Sequence, residues 1–413
     1  MPITLEDVRA AHARIRDGVE ATPFSPSAAL SSLTGCQVWV KPDNQQRTGS
    51  FKERGARNAL LQLDAAARAQ GVIAASAGNH ALGLAFHGGL LGIPVTVVMP
   101  RTAPLIKAET CRRFGARVIQ HGDNFREAGE EAHRLAAGES LTYVNGYDDP
   151  AVIAGQGTVG LELLEACPQL EAVIVPIGGG GLIAGVALAV KSLRPEVQVL
   201  GVEGDHVASW HAAVRAGRPV RTEPLPSLAD GLAVPEVGAN AFALARDRVD
   251  GLGLVTERDI ALAILRALEL EKTVVEGAAA TSLAALMAGC FPDLRGRVVG
   301  LLFCGGNIDP TVLGRVIHKG LAADGRLVRF TALISDRPGG LARLAARLAE
   351  MGAGIVDVTH DRAFSGPDVF AVRVVVTAET RDAGHARDLL ARLREDGLEC
   401  AALDGFAPPP VGP

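Results

Sequence analysis

Four short stretches hold residues whose types and spacing could do chemistry. The first runs from a strand-like segment, Glu171 to Ile177, through Gly178-Gly179-Gly180-Gly181 into a helix-like segment, Leu182 to Leu193. A turn without side chains ahead of a helix gathers unpaired backbone N–H groups and the positive end of the helix dipole around one point, which suits an anion. Four successive glycines sacrifice chain entropy, which argues against a turn kept only for packing. Gly179, Gly181 and Ala184 satisfy G-x-G-x-x-A, and Glu203 follows at about 20 residues, where a dinucleotide enzyme keeps its ribose acid. An NAD-dependent oxidoreductase is therefore one reading of this loop. A P-loop is not, because the Gly-Lys-Ser/Thr ending is missing.

The second stretch is Lys41 to Asn58, KPDNQQRTGSFKERGARN. Lysines are scarce: Lys41, Lys52, Lys107, Lys191, Lys272 and Lys319. Among them Lys52 alone follows a Thr-Gly-Ser-Phe turn rich in hydrogen-bonding groups. A lysine that forms a Schiff base needs a dry pocket that lowers its pKa, and an aromatic neighbour such as Phe51 can contact a planar ring. On residue type alone, a solvated surface lysine fits equally well. Two further glycine turns, Ser76-Ala77-Gly78-Asn79-His80 and Cys304-Gly305-Gly306-Asn307, complete the set.

Turns of this kind must be held by a sheet. From about Leu30 to Asn307, β-rich apolar runs (GVIAAS, IPVTVVMP, ARVIQ, EAVIVPI, VQVLGVE, VVGLLFC) alternate with alanine- and leucine-rich helical stretches. The pattern predicts an α/β fold, with parallel strands joined by crossover helices that cover both faces. Ligands in such folds sit beyond the carboxyl ends of strands, where glycine-rich turns open helices. Near His318 to Gly325 the pattern changes. The C-terminal stretch reads as strand (Val328 to Ser335), helix (Gly340 to Met351), strand (Gly354 to Asp361), strand (Val369 to Thr377), helix (Arg381 to Glu395) and strand (Leu398 to Leu403), the βαββαβ order of a ferredoxin-like module. Ala407 to Pro413 reads as a frayed tail.

Composition narrows the function classes. A chain of 413 residues with 48% hydrophobic and 21% charged residues is long enough for more than one domain with a real core. No run reaches the roughly 18 to 20 apolar residues of a membrane helix, and the N-terminus has acids and arginines where a signal peptide would be apolar, so a cytoplasmic protein is expected. A net charge of -5 and 4% aromatics offer neither a basic stripe nor stacking platforms for nucleic acid. The six cysteines are scattered without a CxxC, and the ten histidines form no HExxH or HxxxH, so no disulfide framework or zinc centre is signalled.

Taken together and in this order and spacing, Ser50-Phe51-Lys52-Glu53-Arg54-Gly55-Ala56, Ser76-Ala77-Gly78-Asn79-His80, Gly178 to Gly181 with Leu182, and Cys304-Gly305-Gly306-Asn307 resemble the threonine dehydratase (threonine ammonia-lyase) family. These are pyridoxal 5'-phosphate (PLP) enzymes of fold-type II, the tryptophan synthase β-like fold. The likeness spans roughly residues 5 to 320. It implies that Lys52 carries PLP through its amine and, once released by substrate, serves as the base at Cα, with Phe51 beside the ring. It implies further that Asn79 bonds the ring's 3'-oxygen, that Gly178, Gly179, Gly180, Gly181 and Leu182 bind the phosphate through N–H groups, and that Cys304 faces the pyridine nitrogen. Ser76, Gly78, Asn79 and His80 would receive the substrate carboxylate. A thiol opposite the ring nitrogen makes a weaker electron sink than a carboxylate would, which favours expelling a β-hydroxyl over transamination. In the family the cofactor's phosphate is the usual candidate for general acid.

Departures from the family pattern carry expectations too. Leu82 stands where glutamine is frequent. Related serine racemases carry a serine at the position of Ala77 to serve the opposite face of Cα, so racemisation is not expected. Those racemases also bind a divalent cation through residues that match Glu203 and the Val207 carbonyl, but Ser209 stands for their aspartate; a monovalent cation at Glu203, or none, is expected. Residues 327 to 403 resemble an ACT domain, chiefly through Asp336-Arg337-Pro338-Gly339-Gly340-Leu341. The organisation expected is a catalytic domain over 1–320, with a small lobe over about 50–145, and an ACT-like regulatory domain over 327–403. The activity expected is conversion of L-threonine to 2-oxobutanoate and ammonia, with L-serine as a side substrate; a serine or 3-hydroxyaspartate dehydratase is the alternative. Isoleucine or valine as effector, a place in isoleucine biosynthesis, and a homodimer or homotetramer complete what the resemblance implies.

Overall fold

The protein is described from a computed structural model covering residues 3–362 and 369–403; Ala407 to Pro413 lie outside the described residues. The chain divides into two compact units, Met1–Ile308 and Asp309–Pro413.

The first unit holds two sheets. The larger runs in the order Ser25–Pro26, Gln37–Lys41, Val298–Leu302, Ala172–Pro176, Gln198–Gly204, Gly251–Val255. All its pairings are parallel except the one at the Ser25–Pro26 edge. Ala172–Pro176 and Val298–Leu302 are buried at every position, as continuous apolar runs must be when helices cover both faces. The smaller sheet, Arg117–Gln120, Val95–Met99, Val72–Ala75, Thr142–Tyr143, is parallel throughout. Its core includes Leu60, Ala77, Leu82, Leu84, Val97 and Met99. Leu82 therefore packs into an apolar core rather than supplying a polar wall.

The helix Lys52–Leu61 is anchored by charge as well as by Ala56, Ala59 and Leu60, which enter that core. Arg54, fully buried, donates from Nε to Asp43 at 2.7 Å and from Nη2 to Glu162 at 2.8 Å. Lys41 Nζ lies 2.6 Å from the same Glu162. Burial would raise the Asp43 carboxyl, but Arg54 and Lys41 outweigh it and hold its pKa at about 2. On the next position, Glu53 Oε2 meets His87 Nε2 at 3.1 Å, both side chains fully buried. These contacts tie the helix to the end of Gln37–Lys41, to Pro150–Ala166 and to Asn79–Leu91.

The second unit begins with the helix Pro310–Ala323 and continues as strand Leu327–Ser335, helix Gly340–Glu350, strands Gly354–Asp361 and Ala371–Glu379, helix Ala383–Glu395 and strand Cys400–Ala402. Its sheet is antiparallel throughout, with the second and third strands in sequence adjacent, the first beside the third and the fourth on the far edge. This is the ferredoxin-like arrangement the element order predicts. The strand expected from Val369 starts at Ala371 instead, because Val369 and Phe370 form an exposed turn.

Removing one member of the buried charge network should be costly, since its partner stays behind in a dry site. Asp43→Ala is expected to lower stability by about 3–5 kcal/mol in urea denaturation. A loss below about 1 kcal/mol would put this network in the class of surface ion pairs.

Candidate active site

A cavity of about 490 Å³ opens in the first unit, a size that suits a small-molecule site. Phe51, Lys52, Ser76, Gly78, Asn79, His80, Gly178, Gly179, Gly180, Gly181, Leu182 and Cys304 all line it. Turns separated by more than a hundred residues thus meet because each follows the carboxyl end of a parallel strand. Glu203 alone of the expected site residues lies elsewhere.

Four helices begin at this cavity: Lys52–Leu61, Asn79–Leu91, Gly181–Leu193 and Gly277–Met287. None is capped by the side chain at its N-cap, but in Lys52–Leu61 the Glu53, Arg54 and Gly55 N–H groups are already taken by the Ser50 and Phe51 carbonyls and the Gln156 side chain. The first-turn N–H groups and positive dipole ends of the other three helices make the cavity a place for anions. The glycines of 178–181 are enforced from behind: a Cβ on Gly179 would fall 2.2 Å from the Tyr147 ring, and one on Gly181 would fall 2.5 Å from the Tyr147 carbonyl oxygen. Gly180 sits at φ +96°, where side chains are strained. Gly78 differs, since a Cβ there would meet no atom within 4 Å. What its missing side chain leaves free is cavity space beside the backbone.

Lys52 Nζ donates to the Gly146 carbonyl oxygen and lies 5.2 Å from the centre of the Phe51 ring. Burial lowers its pKa to about 8, against the raising influence of Cys304 and Glu276. Burial likewise pushes the Cys304 thiol well above its ordinary range, so it is neutral at physiological pH. The Lys52 and Cys304 turns are stitched together: Phe51 N donates to the Cys304 carbonyl at 2.9 Å, and Ser50 bridges to Gly305.

His80 is buried, and burial with the nearby Lys52 lowers its pKa to about 3. Its Nε2 lies 3.1 Å from the Val144 carbonyl, an acceptor, so Nε2 carries the proton and Nδ1 is a bare acceptor. The side chain therefore has no donor for a carboxylate, and the 76–80 turn offers backbone N–H groups and the Ser76 hydroxyl instead.

Sequence reasoning missed Glu276 and gave no role to Tyr147 or to the Asn307 side chain. Glu276 Oε1 accepts from Asn79 Nδ2 at 2.7 Å, and Asn79 Oδ1 accepts from Asn307 Nδ2 at 2.8 Å. Burial and Asp230 push the Glu276 carboxyl up to about 7. The available signal was a lone acid before the alanine-rich run Gly277 to Met287.

Glu203 needs correction as a ribose acid. Its fully buried carboxylate accepts from Trp210 N at 2.7 Å, His211 N at 2.9 Å and His211 Nδ1 at 2.6 Å. The start of the helix Ser209–Ala216 has taken the charge that a ribose hydroxyl would have used.

Residues 15–305 match the family described as pyridoxal-phosphate dependent enzyme. The chain belongs to that family. Membership makes pyridoxal phosphate its cofactor and removes the dinucleotide reading of the glycine loop. Over 397 residues the chain is 43% identical to an L-threonine ammonia-lyase of Thermotoga maritima, covering 96% of this chain and 98% of the relative. Among solved structures, a processed threonine deaminase isoform 2 from Solanum lycopersicum superposes with a TM-score of 0.73 at 33% identity, over 77% of this chain and 95% of that one. Maize serine racemase gives 0.72 at 33%, over 78% and 98%. The fold is accordingly the fold-type II one that the motifs implied. The cavity fits the family's cofactor on its own terms: an uncapped glycine turn for a phosphate, a dry lysine, and open space over Gly78.

The lowered lysine sets a pH dependence for cofactor uptake. A neutral amine is the attacking form, so capture of pyridoxal phosphate by the apoprotein should rise with pH to a midpoint near 8, against 10.5 for an ordinary lysine. Stopped-flow absorbance across that range measures it, and a midpoint above about 10 would mean that Lys52 is not in the dry setting described.

Proposed function

We propose that this enzyme dehydrates and deaminates L-threonine to 2-oxobutanoate and ammonia, with L-serine giving pyruvate as a side activity. The observation that carries the reading is Lys52, its hold on the proton weakened to a pKa of about 8, inside a cavity where helices start without side-chain caps. The relative of T. maritima named L-threonine ammonia-lyase, aligned over nearly the whole chain, supports the choice of substrate.

Bound here, pyridoxal phosphate supplies an electron sink for charge developing at the substrate's Cα. The chain's residues do the rest. Gly178 to Leu182 would hold the phosphate through backbone N–H groups, Phe51 would pack beside the ring, and the Asn79 amide would address the ring's 3'-oxygen. The N–H groups of the 76–80 turn bind the substrate carboxylate. Lys52, freed by the incoming amine, takes the proton from Cα, which its pKa of about 8 permits near neutral pH. Cys304, a neutral thiol, does not hold a proton on the ring nitrogen by charge. Negative charge at Cα is then short-lived, which favours loss of the β-hydroxyl. Ala77, buried among apolar neighbours, cannot exchange a proton with the other face, so elimination rather than racemisation is the outcome.

The second unit is read as an ACT-like sensor for isoleucine or valine, on an assembly of two or four chains in the cytoplasm, serving isoleucine synthesis. Its support is Gly339, which at φ +94° opens the helix Gly340–Glu350 without a side-chain cap and leaves N–H groups for a carboxylate.

Lys52→Ala should abolish keto-acid release from threonine, a fall well beyond the ~10²–10⁴-fold of lost general-base catalysis alone. The same assay on serine and 3-hydroxyaspartate should rank both below threonine, and equal or faster turnover of hydroxyaspartate would overturn the substrate assignment. Calorimetry on the full chain should detect isoleucine, and isoleucine should shift the threonine affinity by about 5- to 150-fold. Absence of any heat at millimolar isoleucine or valine would remove the sensor reading.

A further inference from the structure

The Asn79 side chain sits between two groups that the elimination reaction itself does not require. Its amide could in principle face the cavity with either its oxygen or its nitrogen, and only the nitrogen can donate to a ring oxygen. The chain of contacts settles which. The Thr48 carbonyl oxygen is an acceptor and receives a hydrogen bond from Asn307 Nδ2 at 2.7 Å. That fixes the Asn307 amide, whose second N–H reaches Asn79 Oδ1 at 2.8 Å. With its oxygen so occupied, Asn79 turns Nδ2 to Glu276 Oε1 at 2.7 Å. One N–H of Asn79 is left, on a side chain that lines the cavity.

We propose that Glu276 and Asn307 are positioning residues that clamp the Asn79 amide at both ends, so that its remaining N–H is presented to the ring 3'-oxygen of the cofactor. This rests on the reading of the cavity as the cofactor site. Two further observations support the clamp. Glu276 is itself held by its backbone N–H, which donates to the Gly305 carbonyl at 3.0 Å, and by the Asn307 backbone N–H, which is turned to its carboxyl. Gly305 has no room for a side chain, since a Cβ there would fall 2.2 Å from Glu276 Oε1 and 3.2 Å from Asn79 Nδ2. The glycine of the Cys304-Gly305-Gly306-Asn307 motif thus keeps space for the carboxyl–amide contact. Lys52, Cys304, Asp230 and Lys107 are the titratable groups that sense or are sensed by Glu276. Whether Glu276 carries a proton or not, one of its oxygens remains an acceptor for Asn79, so the clamp holds on both sides of its pKa of about 7.

The test is a double-mutant cycle read by cofactor affinity instead of turnover. The full-length apoprotein is titrated with pyridoxal phosphate by visible absorbance, with circular dichroism confirming each variant's fold. Glu276→Ala should weaken affinity by about 3- to 10-fold, the scale of one hydrogen bond. Glu276→Gln, whose amide oxygen still accepts from Asn79, should restore most of that loss. In an Asn79→Ala background the loss caused by Glu276→Ala should disappear, because the amide it positions has gone; its charge on Lys52 acts in both backgrounds and cancels in the cycle. Asn307→Ala run through the same cycle carries the test if Glu276→Ala does not fold. An undiminished affinity in Glu276→Ala, or a loss that persists without Asn79, overturns the clamp. Failure of the wild-type apoprotein to take up pyridoxal phosphate overturns the site reading itself, and with it the clamp.

Discussion

Everything at the site depends on one constraint: helices that follow parallel strands start at the same side of their sheet, and here Asn79–Leu91 and Gly181–Leu193 do so at one cavity, joined there by Gly277–Met287, all three without side-chain caps. A buried N–H group without a partner is costly, and the first-turn N–H groups of three helices gathered in one place would be hard to leave to water alone. The glycines at 178–181 and at 78 keep side chains from filling the gap. An anionic ligand satisfies these donors at once, so the fold is built to receive a guest of defined charge.

That positive field explains the division of labour among ionisable groups. Where the cavity is most buried, around Lys52, the chain weakens the charge of its own groups: His80 is without a proton, Cys304 keeps one, Glu276 is near its midpoint and Lys52 holds its proton less tightly. Full charges are placed one layer back, where Arg54, Lys41, Asp43 and Glu162 neutralise one another. Lys52 is thus carried on a helix held by strong, short-range electrostatics, while its own amine stays outside that network. Glu203 shows the complementary arrangement at a helix start away from the cavity, where a carboxylate supplied by the chain occupies the place a ligand might have had.

Much of this was legible in the sequence because its signals are local. Strand, glycine turn and helix follow one another within about twenty residues at 171–193, and the dipole argument needs nothing more. The alternating apolar strands and the βαββαβ order of the second unit are equally local. What could not be read depends on pairs far apart along the chain. Asn79 and Glu276 meet across 197 positions, and no pattern in a single sequence announces that contact. Glu203 misled for the same reason in reverse: its place after a strand looked like a ligand's, whereas the helix that claims it became visible only when Trp210 and His211 were seen to turn their N–H groups back. His80 sits in the expected turn, but which way its ring faces was decided by Val144, on a different element.

The order of strands in the larger sheet has a consequence for how the protein comes into being. Gln37–Lys41 joins the rest of the sheet only through Val298–Leu302, and the turn bearing Lys52 is stitched to Cys304 and Gly305. During synthesis on the ribosome, the N-terminal strand must therefore wait, unpaired on that edge, until about 260 further residues have been made. A nascent chain shorter than that has its lysine but no pocket around it. Loading with cofactor is thereby postponed until the last strand of the unit arrives, so a truncated translation product exposes an apolar strand edge and remains colourless.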